Sequence, residues 1–134
     1  MTPTAKLMCG LILITVPTIE FGGYFLLRML SGKMKQLSLT PFQQSMFRAG
    51  HAHAGVLVIL SLVCQLLADA ATLGTPLIWL VRAGVPFSTI LISGGFFAAA
   101  AGNQRTQPNK WIGILYIGVL LLAVSVLVLG IGLL

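Results

Sequence analysis

The stretch Trp111–Leu134, WIGILYIGVLLLAVSVLVLGIGLL, contains no Asp, Glu, Lys or Arg. About 20 predominantly apolar residues in a helix cross the hydrocarbon core of a bilayer, so this stretch is long enough to span. Three further runs share its character. Between Lys6 and Arg28 the only charge is Glu20, and Ala49–Ala68 has none. Ala83–Gln104 also has none, and its apolar pattern reaches back to near Leu77. The runs are continuous rather than alternating, which argues against a β-barrel. The sequence therefore predicts an all-α, polytopic bundle of four transmembrane helices in one domain, with spans at about 7–30, 47–69, 77–101 and 111–133. The first run is too long for a signal-peptide core and no small-residue cleavage site follows it, so it is expected to be retained.

Composition agrees. Hydrophobic residues make up 57% of the 134 and charged residues 7%, against about 25% charged in a soluble domain. Ten charges do not coat a soluble surface, and so apolar a chain is neither disordered nor a disulfide scaffold. The net charge of +6 is dispersed between apolar runs, with no basic run or aromatic platform, so no nucleic-acid partner is expected. The cations read instead as topology signals and anionic-lipid contacts. Loop one carries Lys33, Lys35 and Arg48, with Arg28 at its edge, and loop three carries Arg105 and Lys110. Loop two, around Asp69–Pro76, and the C-terminus carry none. By the positive-inside rule loops one and three face the cytoplasm. The expected location is the bacterial inner membrane, with both termini outside.

Thr40-Pro41-Phe42-Gln43 predicts a helix start, with Thr as N-cap, Pro at the first helical position and Gln completing a capping box. Helix two then begins well before the membrane, with Gln43, Gln44 and Arg48 at headgroup level. Pro17 and Pro86 leave the carbonyls of residues 13 and 82 without their usual helical donors. Ser88, Thr89 and Ser93 are expected to bond back to helix carbonyls. Cys9 and Cys64 are expected to be free, and Asp69 and Arg82 to form an outer ion pair of little worth.

Ionisable groups within spans are costly and are functional candidates by default. Here they are Glu20, His51 and His53. At about 1.5 Å per residue, Glu20 and Tyr24 lie roughly 12 and 6 Å above Arg28, and His51 and His53 about 4.5 and 7.5 Å above Arg48. Tyr116 lies about 9 Å above Lys110. All share the cytoplasmic half with Gly22, Gly23, Gly50, Gly55, Gly94 and Gly95, which serve close helix packing or leave room for a flat ligand. At about 100° per residue, His51, Gly55, Val58, Leu62, Gln65 and Asp69 form one polar stripe, so His51 is expected to face the interior. His53 shares the face of Leu57, Leu60 and Cys64 and is expected to face lipid or another protomer. Glu20, Tyr24 and Arg28 share a stripe, so a Glu20–His51 pair inside the bundle is expected.

Two histidines at i and i+2 diverge and cannot converge on one metal ion, whereas a zinc helix uses i and i+4. The functional alternative is one axial ligand to a b-type haem or a transition metal, with His51 and Glu20 as metal candidates and His53, Tyr24 and Tyr116 around the cofactor. The other alternative is a hydrogen-bonded histidine that only stabilises the bundle. Glu20 is read either as a relay carboxyl or ligand, or as a structural partner of His51 or Tyr24.

The segment Phe47-Arg48-Ala49-Gly50-His51-Ala52-His53-Ala54-Gly55 resembles the haem-ligating helix of haem-copper oxidase and nitric oxide reductase main subunits. That resemblance covers one helix of four and implies His51 as an axial ligand. The remaining histidines of those enzymes have no counterpart. The whole chain is similar to small four-helix bacterial membrane proteins of unassigned function with His-x-His on helix two. Phe47-Arg48-Ala49 also resembles the Arg-Ala step that opens helix two in the eicosanoid and glutathione membrane enzymes, but their following Asn and Glu are replaced here.

Three functions follow as expectations. One is a haem- or metal-binding protein of membrane electron transfer. Another is a non-catalytic accessory subunit of a respiratory or photosynthetic complex. The third is a proton-coupled carrier or four-helix thiol or lipid enzyme. The expected partners are the lipid bilayer and a homo-oligomer or larger membrane complex.

Overall fold

The computed structural model describes residues 1–34 and 38–134. Lys35, one of the cations assigned to loop one, lies outside the described residues. Four helices follow in order: α1 (Pro3–Leu30), α2 (Pro41–Ala68), α3 (Thr75–Ala100) and α4 (Ile112–Leu133). There is no strand among the described residues, and each helix is long and apolar enough to cross a membrane. The chain is a multi-pass membrane protein whose apolar helices contact the bilayer.

Three of the four helices start at a Thr-Pro step. Thr2 caps α1 and accepts from the Ala5 amide at 3.2 Å. Thr40 caps α2 through the expected capping box. Thr75-Pro76 opens α3 behind Gly74. Threonine supplies the side-chain acceptor for an orphan N–H, and proline has no N–H to orphan. Because α1 starts at the third residue, it begins earlier than the expected span.

The helices do not share one central axis. α3 packs along α2 on one side and α4 on the other, while α1 leans on α2, touches α3 lightly and does not meet α4. The α3–α4 seam is close because glycine alternates with bulk. A Cβ placed on Gly95 would fall 2.6 Å from the Leu115 amide nitrogen, and one on Gly118 would fall 2.8 Å from the Leu91 side chain. Small residues let helix backbones approach in this way where lipid offers no hydrophobic drive between helices.

The apolar core lies in the halves of α2, α3 and α4 nearest the α2–α3 loop. Cys64, Ala68, Val81, Val85 and Leu129 are buried there against one another. This overturns the expectation for one face of α2, since Leu57 and Cys64 are buried rather than turned to lipid. At the same end, the Thr72 amide donates to the Gly132 carbonyl at 2.7 Å and Leu73 packs against Gly132. At the other end Gln43 is buried. Its amide donates to the carbonyls of Ala100 and Gly102 at 3.0 and 2.8 Å, and Thr40 donates to Arg105. Loop three is thereby fastened to the start of α2.

Candidate functional site

Two polar layers lie within the spans. The first holds the predicted site residues, and the structure separates most of them.

His51 is half-buried and faces α1. A Cβ on Gly23 would sit 2.9 Å from both Cε1 and Nε2 of its imidazole, and one on Gly22 would sit 4.0 Å from Nδ1. The two glycines form a notch that receives the ring. A metal bound at Nε2 lies about 2 Å from the nitrogen, and a haem adds a wide macrocycle around it. α1 stands against that edge of the ring, so a ligand on His51 Nε2 would have to share the notch with Gly23.

His53 lies outside the helix seams and is exposed. Its ring rests on Phe96 of α3, with centroids 4.9 Å apart. Its Nδ1 is 2.7 Å from the Ala49 carbonyl oxygen. A carbonyl only accepts, so Nδ1 carries the proton and Nε2 is left as the acceptor nitrogen.

Glu20 is exposed on α1, and among the described residues it has no hydrogen-bond or ion-pair partner. The expected interior pair with His51 is not formed. Tyr24 is 57% exposed and stacks only with Arg28 of its own helix, the guanidinium carbon 5.9 Å from the ring centroid. The shared stripe of Glu20, Tyr24 and Arg28 is real, but it points away from α2. The face α1 buries instead carries Ile12, Leu26 and Met29. Tyr116 is exposed on α4, which never meets α1. Equal depth in the membrane thus brings none of these side chains to a common pocket. Among the described residues, no group of three or more His, Cys, Asp or Glu is placed to hold a metal ion.

The glycines divide between close contacts and open surroundings. Gly23, Gly50 and Gly95 sit in close contacts, whereas Gly55 and Gly94 face open space.

The second layer lies at the end of the α2–α3 loop. Arg82 is 5% exposed, and its guanidinium lies 2.6 Å from the Asp69 carboxylate. The same group donates to the Gln65 backbone and side-chain oxygens at 3.3 and 3.2 Å. Asp69 also accepts from the Thr2 hydroxyl and the Thr2 amide, each at 2.7 Å. The bonds from Thr2 come first, and with Arg82 they hold the Asp69 carboxyl down at about 2. The expected ion pair exists, but burial of the arginine makes it more than a surface contact. Gln65, fully buried, donates from Nε2 to the Arg82 carbonyl at 2.7 Å. That carbonyl is the one Pro86 deprives of its helical donor. The signal was present in sequence: Gln65 and Asp69 are four apart on one face, and Arg82 is four before a proline.

Cys9 and Cys64 are free. Ser88 and Thr89 donate to the Val85 carbonyl, as expected. Ser93 does not follow them, and its buried hydroxyl has no partner among the described residues. No protein-family model, no curated protein and no solved structure matches the chain.

Proposed function

We propose that this chain is a subunit of a membrane assembly, formed with further copies of itself or with larger partners, and that Glu20 lies in the contact. The observation that supports this reading is the exposure of Glu20 on a spanning helix, without a partner among the described residues. It is ten residues from the end of α1, about 15 Å along the axis. Even the lower estimates charge about 2.5–3.5 kcal/mol for an acid facing acyl chains at the centre of a span. A second subunit that offers a donor removes that cost. We place the protein in a bacterial inner membrane, with loops one and three cytoplasmic and both termini outside, because the loop cations favour that orientation. Native mass spectrometry from lipid nanodiscs tests the reading. The expected wild-type mass is a multiple of the 14.2 kDa chain, or one chain plus a partner, and Glu20→Leu shifts it to the single chain. Wild-type protein that is uniformly one chain overturns the proposal.

A second reading is favoured by His53. A histidine that ligates a metal commonly donates its other ring N–H to a backbone carbonyl, and His53 makes that bond to Ala49. In this reading a b-type haem or a transition metal binds between subunits through His53 Nε2, in membrane electron transfer. A Soret band that survives His51→Ala and disappears in His53→Ala is the expected result. Colourless, metal-free protein from gently extracted membranes rejects it.

A further inference from the structure

Where α1 leans away from α3, a half-enclosed cleft of about 380 Å³ remains between α1, α2 and α3. Its walls are apolar: Ile12 and Ile19 of α1, Ala54 and Val58 of α2, Pro86 and Phe87 of α3. No Asp, Glu, Lys, Arg or His lines it. The volume is within the range of small-molecule sites, about 300–1,000 Å³.

Five hydroxyls line the cleft, and four are already engaged. Thr15 donates to Ile12, Thr18 to Thr15, Ser61 to Leu57 and Thr89 to Val85. Ser61 and Thr89 also lie 3.2 Å from each other. The fifth, Ser93, is 7% exposed and its Oγ has no partner among the described residues. A serine in a helix ordinarily bonds back to a carbonyl one turn earlier, so the hydroxyl of Ser93 stands as the one unused donor of an apolar slot. A water there would need two to four polar partners, and the other hydroxyls have spent their protons and offer only acceptor lone pairs.

We propose that this cleft binds an uncharged, hydrocarbon-soluble molecule whose carbonyl oxygen accepts a hydrogen bond from Ser93. The absence of charged lining excludes a carboxylate or phosphate head, since a buried charge needs a partner. An apolar body matches the walls, and a single acceptor matches the single free donor. Glu20 does not line the cleft, so this site is independent of the subunit contact proposed above.

The test is equilibrium binding to protein in nanodiscs, with empty discs subtracted. The probes are decylubiquinone, methyl decanoate and n-decane. Saturable binding of the quinone or of the ester, and not of decane, is expected, and the stronger of the two identifies the source of the carbonyl. Ser93→Ala should weaken that binding about two- to twelvefold, the span of one net hydrogen bond. Ala54→Phe should fill the slot and abolish it. The thermal unfolding of unliganded Ser93→Ala should equal or exceed that of wild type, because the lost hydroxyl bonds nothing within the chain. No saturable binding to wild type, equal binding of decane, undiminished binding to Ser93→Ala, or destabilisation of that unliganded variant each overturns the proposal.

Discussion

At the scale of single residues, Asp69 shows how a short polar side chain can join three parts of a membrane protein. It stands just beyond α2 and receives hydrogen bonds from Thr2 ahead of α1 and from Arg82 of α3. The carboxyl titrates at about 2, below its ordinary 3.8. A depressed carboxyl stabilises the folded state above the unfolded value, and the contribution is lost as pH falls through the folded one. Wild type should therefore be more stable than Asp69→Asn at pH 6. The difference should narrow between pH 4 and pH 2, and chemical unfolding followed across that window measures it. A gap that stays constant to pH 2 would show that the carboxylate charge contributes nothing.

Residue by residue, the sequence is least informative about direction. Helical phase groups Glu20 with Tyr24 and Arg28 correctly. It cannot say which side of α1 meets α2, because both sides of a spanning helix are apolar. The assumption that polar groups face inward then selects the wrong side. For His51 the same assumption gives the right neighbour, α1, but two glycines receive the ring in place of an acid.

Among the elements, α3 and α4 are the closest pair. Gly95 stands against the backbone of Leu115, with 2.6 Å between its absent Cβ and the amide nitrogen. Backbone cannot rotate aside. Gly95→Ala should cost about 1–3 kcal/mol, the usual range for overpacking, in reversible unfolding from detergent or bicelles. Gly94→Ala meets open space and should change stability by less than about 0.5 kcal/mol. Equal effects at the two positions would refute the seam described here. Neighbouring glycines with opposite roles cannot be told apart from sequence, since each is flanked by the same small and apolar residues. The helices themselves were legible, because length, apolarity and Thr-Pro starts act locally. The first three spans begin later than their helices, because the span reading counts only the apolar run; in α2 the capping box at Thr40-Pro41 marks the true beginning, as the sequence predicts.

On the scale of the whole molecule, the four helices form a tight three-helix slab with a loosely attached fourth. Hydropathy foresees four spans but not this inequality, because α1 is nearly as apolar as its neighbours and differs only in what it touches. Distances between spin labels on α1 and α3 should be broadly distributed, while those between α3 and α4 should be narrow. Equally narrow distributions in protein without an added ligand would contradict the loose attachment. A tight distribution appearing only with bound decylubiquinone or methyl decanoate would agree with occupancy of the cleft.

Proline in a spanning helix often marks a hinge, and Pro86 sits in the wall of that cleft. Here the amide of Gln65 acts as a splint beside the proline, because it occupies the carbonyl that the proline leaves open. Swinging at this joint would expose that oxygen to hydrocarbon, so α3 is held at a fixed angle from outside its own backbone. Admission of a guest must then come from displacement of α1, with the splinted helix as the stationary jamb against which it moves.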